Sequence, residues 1–426
     1  MLQPFVNLKS NTMKNTMQRY GLLLNLQIFG KENHAIKHTL RFTAVYYTFV
    51  KILFTYLCIL NKDFSMAFEA TKREWGELYA FFRLLADGYV YAGTADAKKN
   101  EALRYPVAMV QREEHDGTRR YVIEEEEIHI CGDNIDKRIP REDFDAVAHL
   151  VLQAVKNSQE NEVTSPDGVE EFLDEVAIFD LEAKTDDRTD FYVAFYQVDN
   201  PLVGFCVRSK LSPMFPLLDG GRSANFKFEQ TGVKFASPTV NKINAFGEEE
   251  DVLGRMLMIE RLGGNLKFND AADKIFRSNL GLIDLHFPRM LGEMVRAMHL
   301  ESITKVSELT EYIKQLNPLK IKEELITKHR YYEYKMKQFL MALALGMRPA
   351  KIFNGADSAI AGFLMVDGQG EVICYQKADR DTFAEFLYNN TRLEKGSTNK
   401  DKYGYLEREN GVYYFKLNLK IGLIKR

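Results

Sequence analysis

Two neighbouring segments with alternating apolar side chains are predicted to form the strands of one β-hairpin. An acid precedes the first strand, and the second strand carries cations on one face. Asp190 immediately precedes the apolar and aromatic run 191–196, and a second such run spans residues 203–211. Because side chains alternate along a strand, one face of the second run carries Cys206, Arg208 and Lys210. A carboxylate facing cations across a hairpin is suited to holding a metal ion against a phosphate, which is the chemistry of metal-dependent phosphodiester hydrolysis.

That chemistry sets requirements that the residues can be checked against. It needs an anchored divalent cation, an activated water and positive charge for the transition state. Mg²⁺ prefers carboxylate oxygens and water, so Mg²⁺ is the predicted cofactor and Asp190 a predicted ligand. The spacing of 18 residues between Asp190 and Arg208 is what one short hairpin accommodates.

Helices are predicted on both sides of the hairpin. Residues 69–86 carry apolar side chains at helical spacing, and Asp87-Gly88 ends that pattern. Glu77 lies inside it, where an acid is ordinarily part of a solvated helix surface. The expected regions are an N-terminal helix, strands and catalytic core at 66–240, a helical region at 241–350 and a β-rich region at 351–426.

Composition bounds the class of protein without identifying it. A chain of 426 residues with 46% hydrophobic and 27% charged residues is ordinary for a globular protein of one large or two moderate domains. The net charge of −3 gives no global signal for nucleic acid, so basic residues would have to be concentrated in one cleft. The four cysteines are scattered without a CxxC pair, which predicts a reducing cytoplasm rather than a disulfide framework.

Residues 1–65 differ from the rest of the chain. They carry a net charge of +6, which leaves −9 for the remainder, and residues 42–60 form an apolar run interrupted only by Lys51. On length that run could span a bilayer. The preferred hypothesis is that translation starts at Met66 and that the preceding residues are an over-extended reading of upstream sequence; a membrane anchor is the alternative.

Five segments together resemble one known family. They are REWGELYAFFRLLADGYVYAG (73–93), KTDDRTDFYVAFYQVDNPLVGFCVRSKLSP (184–213), FRSNLGLIDLHFPRMLGEM (276–294), YYEYKMKQFLMALALGM (331–347) and NNTRLEKGSTNKDKYGYLERENGVYYFKLNLKI (389–421). In this order they resemble the HpaII-type, CCGG-specific type II restriction endonucleases, over nearly all of the chain from about residue 66 onward.

The resemblance implies a fold, an activity and partners. The fold would be the α/β PD-(D/E)XK core, a mixed sheet flanked by helices, with helical and β-rich C-terminal additions. The activity would be Mg²⁺-dependent cleavage of double-stranded DNA at 5′-CCGG-3′ after the first C. A cognate DNA methyltransferase would protect host sites, and a homodimer is a candidate assembly.

The resemblance also places individual residues in a catalytic site. Asp190 would be the first metal ligand, and Glu77 a second one contributed by the early helix. Cys206 stands where the family pattern implies an acid or small polar residue, and Arg208 where it implies lysine. Arginine stays protonated and cannot act as a base, so Arg208 would stabilise the transition state, while Lys210 is the alternative for the lysine role. These departures motivate a second hypothesis, in which the protein is a sequence-specific DNA-binding protein with a decayed nuclease site. For Cys206 the alternative interpretation is a buried, small apolar residue.

DNA contacts are expected from two polar loops. Arginine and asparagine make the commonest base contacts, and hydroxyl groups hold phosphates. The candidates are Arg222, Ser223 and Asn225 in the first loop and Asn399 and Lys400 in the second.

Overall fold

A curved, nine-stranded mixed sheet organises the computed structural model, which describes residues 68–182, 189–196, 201–214, 216–355 and 359–424. The described residues belong to one compact unit, Ala67–Arg426. Residues 1–65, including the apolar run at 42–60, lie outside the described residues. Within the described ranges no helix has both the length and the apolar character needed to cross a membrane.

Eighteen strands in the described residues are numbered in chain order. They are β1 (Glu69–Thr71), β2 (Tyr89–Gly93), β3 (Lys99–Glu114), β4 (Gly117–Ile123), β5 (Glu127–Gly132), β6 (Ile135–Pro140), β7 (Glu162–Thr164), β8 (Phe191–Phe195), β9 (Leu202–Ser209), β10 (Leu218–Asp219), β11 (Asn225–Gly232), β12 (Gly264–Ala271), β13 (Ile360–Val366), β14 (Val372–Gln376), β15 (Thr391–Glu394), β16 (Leu406–Glu409), β17 (Val412–Asn418) and β18 (Lys420–Leu423).

Twelve α-helices accompany them in the described ranges. They are α1 (Lys72–Asp87), α2 (Arg141–Asn157), α3 (Val169–Glu175), α4 (Ser237–Asn244), α5 (Val252–Arg261), α6 (Lys274–Ile283), α7 (Phe287–Glu301), α8 (Val306–Leu316), α9 (Glu323–Thr327), α10 (Tyr331–Ala344), α11 (Arg380–Asn390) and α12 (Thr398–Asp401).

The large sheet has the order β2-β14-β13-β9-β8-β3-β4-β5-β6. The predicted hairpin is confirmed, because β8 and β9 pair antiparallel with Phe191 opposite Phe205. On its other edge β9 pairs parallel to β13, a strand more than 150 residues further along the chain. β2 pairs with both β14 and β3, so six strands form a closed circuit.

Helix α1 crosses the sheet where β8 and β9 lie. Thr71 and Glu74 form a capping box at its start, and Gly88, with φ of 71°, ends it as the sequence predicted. The apolar face of α1 packs into a core with β3, β8 and β9 that includes Phe81 and Phe191 in edge-to-face contact. This packing fixes the position of every side chain that α1 directs toward the end of the hairpin.

The region after residue 240 differs in part from its prediction. Helices α5, α6, α7, α8 and α10 match the expected helical region, and Pro288 lies in the first turn of α7. The region after 351 is β-rich, as expected, with strands β13 to β18. Its strands β13 and β14 complete the central sheet, and it contains the helix α11, whose sequence RDTFAEFLYNN buries two phenylalanines.

Candidate active site

A small cleft lies where α1 meets the end of the β8–β9 hairpin. Its polar lining includes the acids Glu77 and Asp190, the cations Arg73 and Arg208, and the hydroxyls of Ser209 and Ser212. The volume open to the centre of a water molecule is about 10 Å³, close to the minimum that one water requires. Arg73 and Asp190, which are 117 positions apart in the sequence, therefore line the same water-sized space.

Asp190 is fixed by the backbone of the neighbouring strand. Its N–H donates to the Phe205 carbonyl at 2.8 Å, and its Oδ2 accepts from the Val207 N–H at 2.6 Å. Burial raises the pKa of Asp190 above its usual range, while the Val207 N–H and the charge of Arg208 act in the opposite direction. The ionised carboxylate is therefore costly in the free protein, and a cation bound beside it would relieve that cost.

Glu77 is the second acid of the cleft and is almost fully buried, with 3% of its surface exposed. It extends from α1 one helical turn after Arg73, so both side chains point to the same side of the helix. Arg112 of β3 places its Nη2 3.8 Å from the Glu77 Oε1. Glu77 of α1 therefore lies in the cleft, where the sequence predicted an acid from the early helix.

Arg208 supplies positive charge from β9. Its guanidinium lies 5.2 Å from the ring centre of Phe363, and its Nε is buried without a hydrogen-bond acceptor among the described residues. A buried donor without an acceptor is costly unless a ligand satisfies it. A phosphate oxygen would do so, in keeping with the predicted role in transition-state stabilisation.

Arg73 is a cleft residue that sequence reasoning missed. Its Nη1 pairs with the Glu182 Oε1 at 2.7 Å, and both side chains are about half exposed. Its positive charge also lowers the pKa of Asp190, against the larger effect of burial. An arginine in the first turn of an amphipathic helix carries no signal of such a role, because only the packing of α1 on β9 brings it to the hairpin.

Two predicted residues do not line the cleft. Cys206 is buried in the hydrophobic core, as its alternative interpretation holds, so its side chain is not offered to a metal or phosphate here. Lys210 lies one residue beyond the end of β9 at Ser209 and is not among the residues that line the cleft. No lysine is among the residues that line the cleft within the described part of the chain.

The residues present fit a Mg²⁺ ion. Mg²⁺ is commonly held by one or two carboxylates, with waters and substrate phosphate oxygens completing its coordination. Asp190 and Glu77 line the same water-sized space, and burial makes the charge on Asp190 costly without a cation. Groups of three or more histidine, cysteine or acidic side chains placed to hold a metal are absent from the described residues, so the remaining ligands would be water and substrate.

The two loops predicted to contact DNA lie against each other, and we call them together the basic surface. The first forms a 3-10 helix, Gly221–Ala224, and the second contains α12. The Nε of Arg222 reaches the carbonyl of Lys400 at 3.5 Å. Arg222, Asn399 and Lys400 are exposed and Ser223 is half-buried. These side chains are accessible to a ligand of the size of DNA.

Asn225 has a different position from the one predicted. It is buried, with 2% exposed, and its Nδ2 donates to the carbonyl of Asp401 at 2.8 Å. Its Oδ1 accepts from the Asn418 Nδ2 at 2.7 Å, and Asn418 also donates to the Gly221 carbonyl. Both ends of the amide are used inside the protein, so the side chain is not offered to a base. Its position instead ties the two loops of the basic surface together.

Comparison with known proteins identifies the family of this chain. A sequence model of the HpaII restriction endonuclease family matches residues 71–423. The Type II restriction enzyme HpaII of Haemophilus parainfluenzae is 30% identical over 359 residues, which cover 83% of this chain and 98% of that protein. No solved structure matches this chain. The cleft and the basic surface both lie within the matched range, and the chain belongs to the HpaII restriction endonuclease family.

Proposed function

We propose that this protein is a Mg²⁺-dependent endonuclease that hydrolyses double-stranded DNA at 5′-CCGG-3′, after the first C. Membership of the restriction endonuclease family supports a site-specific nuclease. The target sequence rests on the resemblance of the five quoted segments to the CCGG-specific enzymes. We also assign the hairpin and α1 to a PD-(D/E)XK core, because an acid begins one strand, a cation lies on its antiparallel neighbour and an acid from an early helix faces both.

One observation carries the proposal: two carboxylates and two guanidinium groups line a single water-sized cleft at the end of a hairpin. Carboxylates alone would repel a phosphate, and cations alone would bind it without activating water. The combination provides a place for a divalent cation and for the negative charge of the phosphate beside it. Burial increases the strength of each of these interactions.

The protein's own residues divide the work of the reaction. Asp190 and Glu77 would hold Mg²⁺, which when bound lowers the pKa of a coordinated water and polarises the phosphoryl oxygens. Arg208 offers its unpaired buried Nε to a phosphate oxygen. Arg73 is half exposed at the mouth of the cleft and would exchange Glu182 for the DNA backbone. A guanidinium group does not act as a base, so neither arginine takes the proton from the attacking water.

Cleavage of plasmid DNA tests the function. The full chain is incubated with a plasmid containing CCGG sites, with Mg²⁺ or with EDTA, and the ends are sequenced. We expect discrete Mg²⁺-dependent cuts after the first C, and no cuts with Asp190→Asn. Cuts at a different sequence would contradict the inherited specificity. Cleavage that persists in EDTA or in Asp190→Asn would contradict the metal site.

A second candidate function is favoured by the arginine at position 208 and the absence of lysine from the cleft lining in the described residues. In that case the protein binds its site but no longer cleaves it. Intact plasmid together with specific retention of a CCGG duplex would support it. Under this alternative Arg208→Lys raises cleavage above wild type, whereas under the main proposal it does not.

The biological partners follow from the proposed activity. We propose that a cognate DNA methyltransferase protects CCGG sites in the same cytoplasm, because an unprotected genome would be cut. A homodimer is the proposed assembly, since two copies could cut both strands of a palindromic site. Transformation of the gene without a methyltransferase should reduce cell survival, and light scattering with and without DNA measures the assembly.

A further inference from the structure

A fully buried arginine lies directly behind the cleft. Arg112 of β3 has no exposed side-chain surface and contacts groups from three different segments. Its Nη1 donates to Glu114, its Nη2 donates to the Leu181 carbonyl at 2.8 Å, and Nη2 lies 3.8 Å from Glu77. A buried charge is retained only where it is paired, so these contacts indicate what Arg112 holds in place.

The network around Arg112 extends to the chain that leads into the cleft. The Oε2 of Glu114 accepts the N–H groups of Phe179, at 3.0 Å, and Asp180, at 2.8 Å. The Leu181 carbonyl accepts from Arg112. The backbone of residues 179–181 is therefore hydrogen-bonded to the ion pair of Glu114 with Arg112. The next residue, Glu182, is the partner of Arg73 at the mouth of the cleft.

We propose that Arg112 is a positioning residue for the metal site, which holds the Glu77 carboxylate and the segment 179–182 and thereby sets the affinity for a divalent cation. The inference rests on the proposed function and deepens it. Arg112 does not line the cleft itself, so it acts through Glu77 and not on the substrate. Residues that orient metal ligands typically change metal affinity or activity by about 10- to 100-fold when removed.

The neighbouring strand supplies a matched control. Arg119 of β4 lies opposite Arg112 in the pairing of β3 with β4, and 1% of its surface is exposed. In both arginines the buried Nε has no hydrogen-bond partner among the described residues. The ion partner of Arg119 is Asp116, at 2.6 Å, in the β3–β4 turn and not a cleft residue. Loss of either guanidinium removes a buried charge from the same two strands, but only Arg112 contacts Glu77.

The experiment compares Arg112→Met, Arg112→Lys and Arg119→Met in the full chain. Two quantities are measured: the Mg²⁺ concentration for half-maximal cleavage, and Mn²⁺ binding by calorimetry without DNA. We expect Arg112→Met to weaken both by about 10- to 100-fold, and Arg112→Lys to have an intermediate effect because lysine keeps the charge but loses the fork of donors. Arg119→Met should leave both unchanged. Equal metal affinities in Arg112→Met and Arg119→Met would overturn the proposal.

A double variant separates positioning from general destabilisation. If Arg112 acts through Glu77, then Arg112→Met adds little to the loss of Mn²⁺ affinity already caused by Glu77→Gln. Additive losses would contradict the inference. If Arg112→Met does not fold, Arg112→Lys decides, since wild-type metal affinity in that variant contradicts the proposal. Absence of cleavage by the wild type would instead overturn the proposed function, whereas a cleaving wild type with unchanged variants overturns only the role of Arg112.

Discussion

The cleft and the basic surface carry their positive charge in opposite ways. In the cleft, Glu77 is buried and Asp190 partly buried, and the guanidinium of Arg208 on β9 lies 5.2 Å from the ring centre of Phe363. On the basic surface, Arg222 and Lys400 are exposed on a four-residue 3-10 helix and a four-residue α-helix. What holds the basic surface together is not its charges but the buried amides of Asn225 and Asn418 beneath it.

This difference indicates that catalysis depends on the cleft and binding on the basic surface. A buried charge interacts strongly because water does not screen it, but it must be positioned by a second layer of side chains. An exposed cation interacts weakly with any one partner, and several of them together provide affinity that depends on salt. Substitutions in the cleft should therefore change catalysis, and substitutions on the basic surface should change binding.

The largest expected effect comes from Asp190→Asn. We expect cleavage to fall by about 10³-fold, as for loss of a central electrostatic group, while thermal stability stays the same or increases. Burial raises the pKa of Asp190, so a neutral amide of the same shape removes the cost of the ionised form and still accepts from the Val207 N–H. Cleavage assays and thermal denaturation measure the two effects. A variant that loses stability in proportion to activity would show that Asp190 is a structural residue.

Arg73→Ala should have the next largest effect. We expect cleavage to fall by about 10- to 100-fold, because a cation that contacts the phosphate at the cleft is lost. DNA affinity measured with Ca²⁺ in place of Mg²⁺ should change little. Glu182→Gln is the control, since it releases Arg73 from its ion pair without removing the cation. An equal loss in both variants would indicate that the ion pair, and not the guanidinium, is what matters.

The double variant Arg222→Ala/Lys400→Ala should weaken DNA binding without changing the cleavage rate at saturating enzyme. Each lost phosphate contact lowers the slope of log affinity against log salt by about 1. Asn225→Ala is the contrasting variant: it removes the donor to the Asp401 carbonyl and the acceptor of the Asn418 Nδ2, and it should cost about 1–3 kcal/mol of stability. Filter binding across a salt series and denaturant unfolding distinguish the two. An unchanged salt slope in the double variant would remove these residues from the DNA interface.

The smallest effect at neutral pH concerns His299, which lies beneath the second loop of the basic surface, beside Tyr403. Burial, with a contribution from Lys395, lowers the pKa of His299 to about 4. The unfolded chain therefore binds more protons between about pH 6.5 and 4, so the free energy of unfolding decreases as pH falls through that window, by on the order of 3 kcal/mol. Urea unfolding at several pH values measures it. His299→Leu should flatten this dependence, and an unchanged slope would contradict the assignment.

The strands and helices around the cleft were largely predictable, because their side chains repeat with clear periods. The strand at 191–196 was predicted within one residue of β8, and the helix at 69–86 within three residues of α1. Helix α11 was missed because its aromatic side chains resemble the strands that flank it. Lys210 does not line the cleft: it follows the last residue of β9, and alternation along the sequence does not reveal where a strand ends.

The site itself was predictable only in part. Asp190, Glu77 and Arg208 were identified from the hairpin and the family resemblance, and they line one cleft. Arg73 and Arg112 were not, since the roles we propose for them depend on how α1 and β3 pack and not on any local pattern. Asn225 was misassigned because an asparagine in a polar loop looks the same whether its amide faces DNA or two carbonyl groups of its own chain.

The central claim is that Asp190 and Glu77 hold a divalent cation in the cleft. Anomalous diffraction from crystals of the full chain containing Mn²⁺ tests it most directly, because the ion is located without reference to activity. We predict an anomalous peak in contact with both carboxylates that disappears in Asp190→Asn. A peak elsewhere in the protein, with none in the cleft at saturating Mn²⁺, would contradict the account.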